Sequence, residues 1–224
     1  MRKHMELSIL QIIKEIIDKK IIVILRGVPK DKLVETAEAM YRGGIRLIEI
    51  TYSANGAVSD EEIAAGIKLL AENFEGRMLV GAGTVMTKHQ VELTKASGGK
   101  FIISPDTNEE IIRHTKELGL VSIPGALTPS EITAAHRAGA DFVKLFPISS
   151  LGSGYVKVIK TPISNIRLLA VGGIEFDNME EYYEAGVCGF AIGSNLANLK
   201  LIGDGDFDAI EELARRYVEK VKTF

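Results

Sequence analysis

Asp141-Phe-Val-Lys-Leu-Phe-Pro147 sets one lysine, Lys144, inside an otherwise apolar run. Ala138-Gly139-Ala140 ends a helix just before it, and a run of this length and composition reads as a strand buried on both faces. Alternate side chains of a strand share a face, so Lys144 points with Phe142 and Phe146 and away from Val143 and Leu145. With Val143 and Leu145 packed under helices, Lys144 faces an interior. Desolvation there lowers the pKa of an ammonium and frees an amine to attack carbonyls. A lysine buried against a carboxylate for structural reasons is the alternative, and the stretch alone leaves both readings open.

Outward from this strand the chain repeats one unit: apolar strand, loop, amphipathic helix, then a glycine that stops the helix. Eight strands are expected, at Ile21–Leu25, Arg46–Thr51, Met78–Gly81, Phe101–Ser104, Val121–Ile123, Phe142–Phe146, Arg167–Val171 and Gly189–Ile192, with starts 20 to 32 residues apart. Thr87-x-x-Gln90, Thr107-x-x-Glu110 and Thr128-Pro-Ser-Glu131 read as capping boxes. Gly43-Gly44, Gly98-Gly99, Gly119, Gly139 and Gly186 suit left-handed helix ends. The pattern predicts an α/β fold, a (β/α)8 TIM barrel forming one domain over residues 1–224, with an open doubly wound sheet as the alternative. An extra N-terminal helix with Leu7, Leu10, Ile13 and Ile17 on its apolar face would cover the N-terminal mouth. Arg2, Lys3 and His4 precede it, but Gln11, Lys14 and Glu15 interrupt the apolar stretch, which therefore does not read as a signal peptide.

Composition narrows the function classes. A net charge of -3 with no basic stripe gives no reason to expect nucleic acid. No apolar run reaches membrane-spanning length, so no membrane partner is expected. One cysteine, Cys188, excludes an internal disulfide, fits a reducing cytoplasm and reads as a small buried hydrophobe. The histidines His4, His89, His114 and His136 show no metal-ligand spacing, so neither a metal nor another cofactor is expected.

In a barrel of this kind chemistry gathers at the C-terminal ends of the strands. Glu49 repeats the anomaly of Lys144: it shares a face with Leu47 and Thr51, while Ile48 and Ile50 point outward. The two are either a structural ion pair or an imine-forming lysine with its proton shuttle. Gly172-Gly173 and Gly193-Ser194 close the last two strands, where glycine backbone and a hydroxyl suit a phosphate. Arg26 closes the first strand, either reaching an anionic substrate group from the rim or pairing with Glu49.

Taken together, Ile24-Leu-Arg-Gly27, Gly43-Gly-Ile-Arg-Leu-Ile-Glu-Ile-Thr51, Val80-Gly-Ala-Gly-Thr-Val85, Phe101-Ile-Ile-Ser-Pro105, Ile123-Pro-Gly-Ala-Leu-Thr-Pro-Ser-Glu131, Lys144-Leu-Phe-Pro147 and Gly172-Gly-Ile174 resemble the KDPG/KHG aldolase family, which cleaves 2-keto-3-deoxy-6-phospho-sugar acids. The resemblance implies a metal-free class I aldolase. Lys144 would form a Schiff base with the C2 ketone and Glu49 would move protons, releasing pyruvate and, from a gluconate-type substrate, glyceraldehyde 3-phosphate. 4-Hydroxy-2-oxoglutarate is a further candidate substrate. By the same resemblance Thr84 and Pro105 line the pyruvate end, Arg26 sits at the rim, and Gly172, Gly173, Gly193 and Ser194 hold the phosphate of the keto acid; the assembly would be a homotrimer. Three positions depart from the common pattern. Ser53 stands where an arginine helps hold the substrate carboxylate, Asp106 follows Ser104-Pro105 in place of glycine, and Ala170-Val171 precede Gly172-Gly173 as in the branch acting on the galactonate epimer. A phosphate-binding barrel without imine chemistry, an isomerase or a sensor, is the competing reading.

Overall fold

A computed structural model describes residues 7–224. Its strands are β1 Ile21–Leu25, β2 Leu47–Thr51, β3 Leu79–Gly83, β4 Phe101–Ile103, β5 Val121–Ile123, β6 Gly125–Ala126, β7 Val143–Leu145, β8 Leu168–Val171 and β9 Gly189–Ile192. The helices are α1 Ile9–Lys19, α2 Leu33–Arg42, α3 Asp60–Asn73, α4 Lys88–Ala96, α5 Glu109–Glu117, α6 Pro129–Ala138, α7 Gly152–Lys160, α8 Met179–Glu184, α9 Leu199–Asp204 and α10 Phe207–Val221. All pairings are parallel, in the order β5-β4-β3-β2-β1-β9-β8-β7-β6.

β5 and β6 are one stave interrupted at Pro124. Proline has no N–H for the ladder, so regular pairing breaks there. Its carbonyl still accepts from the Lys144 N–H at 2.8 Å, and the Ser122 carbonyl accepts from Phe142 at 3.3 Å. The two edges of the sheet are thereby stitched together, and the strands form the expected eight-stave barrel. The third strand lies two residues further along than its expected end at Gly81, finishing at Gly83.

Strand alternation divides the core in two. Ile22, Leu47, Leu79, Phe101, Val121, Phe142 and Leu169 fill the barrel, whereas Val23, Ile48, Ile50, Val80, Val143, Leu145 and Leu168 pack outward beneath the helices. α1 joins the inner group through Ile12, Ile13 and Ile16, so it closes the N-terminal mouth as expected. Of the expected stripe, Ile13 belongs to this group and Ile17 packs against it, whereas Leu7 and Leu10 do not. Leu10 is 77% exposed and Leu7, outside the helix, is 40% exposed. Apolar residues occur all along this segment, and Ser8 starts the helix by accepting from the Gln11 N–H while Gln11 caps it in return. That start sets the rotation that buries Ile12 and Ile16. Arg2, Lys3 and His4 lie outside the described residues.

Helix punctuation follows the sequence reading at α6, where Thr128 and Glu131 form a complete capping box behind Pro129. At α5 it does not: Asn108 is the N-cap, and the Thr107 hydroxyl donates to the Gly125 carbonyl at 2.7 Å, tying the loop to the next stave. Gly44, Gly98, Gly119, Gly139 and Gly186 take positive φ, while Gly43, at φ −70°, and Gly99 do not. No helix among the described residues is long and apolar enough to cross a membrane.

Candidate active site

Lys144 and Glu49 both project into the barrel, 7% and 3% exposed. Phe142 lies below Lys144 on its own strand and Leu47 below Glu49, so both polar groups sit on an apolar floor. Burial pushes the Glu49 carboxyl up to about 7, against the opposing pull of the Lys144 and Arg26 charges and of the Thr51 hydroxyl, which donates to its oxygens at 3.4 and 3.5 Å. Burial likewise pulls the Lys144 ammonium below its ordinary value; the Glu49 charge opposes this and the Arg26 charge adds to it. Among the described residues no ion pair within 4 Å links the two, and the Lys144 Nζ lies 4.4 Å from the centre of the Phe146 ring. An amine held toward neutrality and a carboxyl poised near neutral pH are the two partners that carbonyl addition and proton transfer require.

The space occupied by Glu49 comes from its neighbour. Gly83 lies on β3 opposite Thr51, and a Cβ there would overlap the Glu49 carboxylate. Gly81, two residues earlier, makes the same allowance for the Phe101 ring. Glycines at alternate inward positions of one strand are the signal by which this clearance is legible in sequence. Gly83→Ala is expected to cost about 1–3 kcal/mol through overpacking and to displace Glu49. A lowered thermal midpoint together with a lost acid limb in the pH–rate profile would report it.

Thr84 follows Gly83 with φ +54°, a left-handed conformation for a β-branched residue, which costs of order 1–3 kcal/mol and persists only where the surroundings enforce it. Its Oγ1 accepts from Arg26 Nη2 at 3.1 Å. The alternative of an Arg26–Glu49 salt bridge is therefore not realised, although the guanidinium is close enough for its charge to act on both Glu49 and Lys144. Pro105, two residues past β4, packs its carbonyl against Gly125, the register partner of Lys144. Ser53 is engaged in its own loop, donating to Asn55 Oδ1 at 2.8 Å and accepting from the Val58 N–H at 3.4 Å.

On the opposite rim Gly172 and Gly173 take φ +91° and +75°. A Cβ on Gly172 would approach the Phe146 ring to 3.2 Å, and one on Gly173 would overlap Ser149, so only glycine leaves this backbone accessible. Among the described residues the N–H groups of Gly172, Gly173, Ser194 and Asn195 donate to no protein acceptor. Asn178 and Asn195 brace the turn instead, donating to the carbonyls of Gly173 and Ile174 at 2.8 and 2.9 Å. Unspent donors at two successive strand ends are the kind of backbone that can cradle an anion. Phe146 links this cradle to Lys144. Alternation along the strand already sets Phe146 beside Lys144, but its approach to Gly172, and that of Ser149 to Gly173, arise only across strands.

A family model described as KDPG and KHG aldolase matches residues 12–213. The chain belongs to the KDPG and KHG aldolase family. It is 31% identical over 218 residues to a 2-dehydro-3-deoxy-phosphogluconate aldolase of Haemophilus influenzae, spanning 95% of this chain and 97% of that one. It is also 31% identical over 177 residues to a 2-dehydro-3-deoxy-6-phosphogalactonate aldolase of Escherichia coli, spanning 79% and 83%. Among solved structures, a KDPG aldolase of Legionella pneumophila with pyruvate captured as a covalent carbinolamine superposes with a TM-score of 0.79, at 27% identity and 88% and 93% coverage. As a member of the family the chain is an aldolase, an aldehyde-lyase.

Proposed function

We propose that Lys144 is the imine-forming residue of an aldolase acting on a 2-keto-3-deoxy-6-phospho-sugar acid. The single observation that carries this is the pairing of a desolvated Lys144 with a desolvated Glu49 inside the barrel. The neutral amine adds to the C2 ketone, giving a carbinolamine. Glu49, protonated near neutral pH, gives a proton to the departing hydroxyl, and water leaves the protonated imine. The Glu49 carboxylate then takes the proton of the C4 hydroxyl. The C3–C4 bond breaks, its electron pair moves into the imine, and an aldehyde and an enamine result. Protonation of the enamine at C3 and hydrolysis return pyruvate and free Lys144.

The remaining residues fit this chemistry by position. Thr84 and Pro105 flank the pyruvate end, and Arg26, held by Thr84, supplies a cation at the rim for an anionic substrate group. The N–H groups around Gly172, Gly173 and Ser194, with Gly193 starting the turn, suit the 6-phosphate. A gluconate-type substrate would release glyceraldehyde 3-phosphate. Ala170-Val171 before the glycines support a second reading, the galactonate epimer. The reading also takes residues 1–224 as a single barrel domain, working in the cytoplasm as a homotrimer, as the family resemblance implies; sedimentation as three copies of the 24.4 kDa chain is expected.

Incubation with pyruvate and sodium borohydride, followed by peptide mass spectrometry, tests the chemistry. One reduced pyruvate adduct on Lys144 is the expected result. Absence of an adduct on folded protein, under conditions that label an established class I aldolase, would overturn the proposal and favour an isomerase or sensor. Relative kcat/KM on the two epimers then decides the substrate.

A further inference from the structure

Thr84 is held in its left-handed conformation from both sides. Upstream, the Tyr52 N–H donates to the Gly83 carbonyl at 2.8 Å; downstream, the Val85 N–H donates to Ile103 at 3.2 Å. The last restraint comes from a side chain. Gln90, 8% exposed on α4, accepts from the Met86 N–H at 2.8 Å through Oε1 and donates from Nε2 to Asp60 Oδ1 at 3.0 Å. Asp60 is the first residue of α3, the helix that follows the strand bearing Glu49. One carboxamide thus fastens the Thr84–Thr87 loop to the neighbouring βα unit.

Gln90 departs here from what its sequence context predicts. Three residues after the N-cap Thr87, it is placed to bond the Thr87 N–H in a capping box. Thr87 does accept from the Gln90 N–H at 3.2 Å, but the Gln90 side chain bonds one residue further upstream, to Met86. Its own backbone is fixed from below: the Gln90 carbonyl accepts from Thr94 Oγ1 at 2.7 Å and from the Tyr52 hydroxyl at 3.2 Å, all within a buried polar cluster. Both ends of the carboxamide are satisfied and its backbone is anchored, so it has no solvent-exposed alternative. A helix-capping residue has become a brace on the segment that carries Thr84.

We propose that Gln90 is a positioning residue for the pyruvate end of the site, holding Thr84 in the left-handed conformation in which its hydroxyl engages Arg26. The inference rests on the imine chemistry proposed above. Without the carboxamide the Met86 N–H loses its partner and Thr84 relaxes toward an ordinary β-region conformation, which moves its hydroxyl off Arg26. The anion cradle at Gly172 and Gly173, on the far rim, is untouched.

Gln90→Met keeps the side chain's bulk and removes both hydrogen bonds. The expected result is a pyruvate concentration for half-maximal borohydride trapping raised roughly 10-fold, with the final yield on Lys144 and the competition constant of glyceraldehyde 3-phosphate unchanged. Ile210→Val in α10 serves as a control for destabilisation alone and should move neither constant. If Gln90→Met fails to fold, Asp60→Ala, which removes the far anchor of the carboxamide, is expected to give a shift of the same sign and about 3-fold. Parental trapping by whichever variant is used, or equal shifts in the pyruvate and glyceraldehyde 3-phosphate constants, would overturn the positioning role. Failure of the parent itself to trap pyruvate would instead remove the aldolase reading.

Discussion

Lys144→Ala is expected to abolish turnover, lowering kcat by roughly 10⁵-fold, because every later step runs through the covalent imine and Lys144 is the only buried lysine among the described residues. Borohydride should leave the variant unlabelled by pyruvate at every pH. The fold should survive. The Lys144 ammonium makes no hydrogen bond or ion pair among the described residues, and its removal relieves a desolvated amine. Lys144→Met, which retains most of the packing, isolates that relief. A lysine whose folded pKa is depressed destabilises the fold fully below that depressed value, and the penalty fades as pH rises to the unfolded value of 10.5. The thermal midpoint of Lys144→Met should therefore exceed the parent's at acidic and neutral pH, with the gap closing as pH approaches 10.5. Near-normal activity in either variant would place the nucleophile elsewhere.

The second large effect is expected from Glu49→Gln. Removing the proton shuttle while keeping its shape should lower kcat roughly 10²- to 10⁴-fold, with pyruvate still able to form a slow adduct on Lys144. The parent's kcat/KM should carry an acid limb near pH 7, where Glu49 titrates, and the variant should lose it. Because Glu49 and Lys144 interact, that limb belongs to the pair, and its position should also move in Lys144 variants. Stability supplies an independent readout. A carboxyl whose folded pKa is raised from 4.5 to about 7 destabilises the fold progressively as pH climbs through that window and fully above it. Glu49→Gln should melt with the parent near pH 4 and above it at pH 8. A variant that melts below the parent at pH 8 would mean that the carboxylate acts as a structural partner of Lys144.

How these residues come together was legible in sequence to differing degrees. The inward direction of Lys144 and Glu49 follows from period-2 alternation alone, because Val143, Leu145, Ile48 and Ile50 are each adjacent in the chain and each apolar. The barrel followed from the repeat length. Contacts that depend on register between strands were not legible: the Gly81–Gly83 alternation signals clearance but not that Glu49 and Phe101 fill it, and neither the bond from Arg26 to Thr84 rather than to Glu49 nor the approach of Gly172 to Phe146 can be read from the chain. α1 shows a third kind of limit. Leu7, Leu10, Ile13 and Ile17 form one apolar stripe and Ile12, Ile13 and Ile16 another, and only the cap at Ser8 and the shape of the barrel floor decide between them. Gln90 shows a fourth, since a helix-start motif names the residue types but not which of two neighbouring N–H groups the side chain will choose.

The barrel floor has a temporal consequence. With α1 packed into the same inner cluster as Phe142 and Leu47, the barrel is closed below Lys144 and Glu49, and whatever reacts there has to come and go by the C-terminal mouth. In the proposed reaction the three-carbon fragment is tethered at the depth of Lys144, and the aldehyde fragment lies above it toward Gly172 and Gly173. Departure is then last in, first out. In that arrangement the aldehyde stands between Lys144 and the C-terminal mouth, ahead of the water that hydrolyses the enamine-derived imine, so a slow-leaving aldehyde acts as a cork on its own co-product.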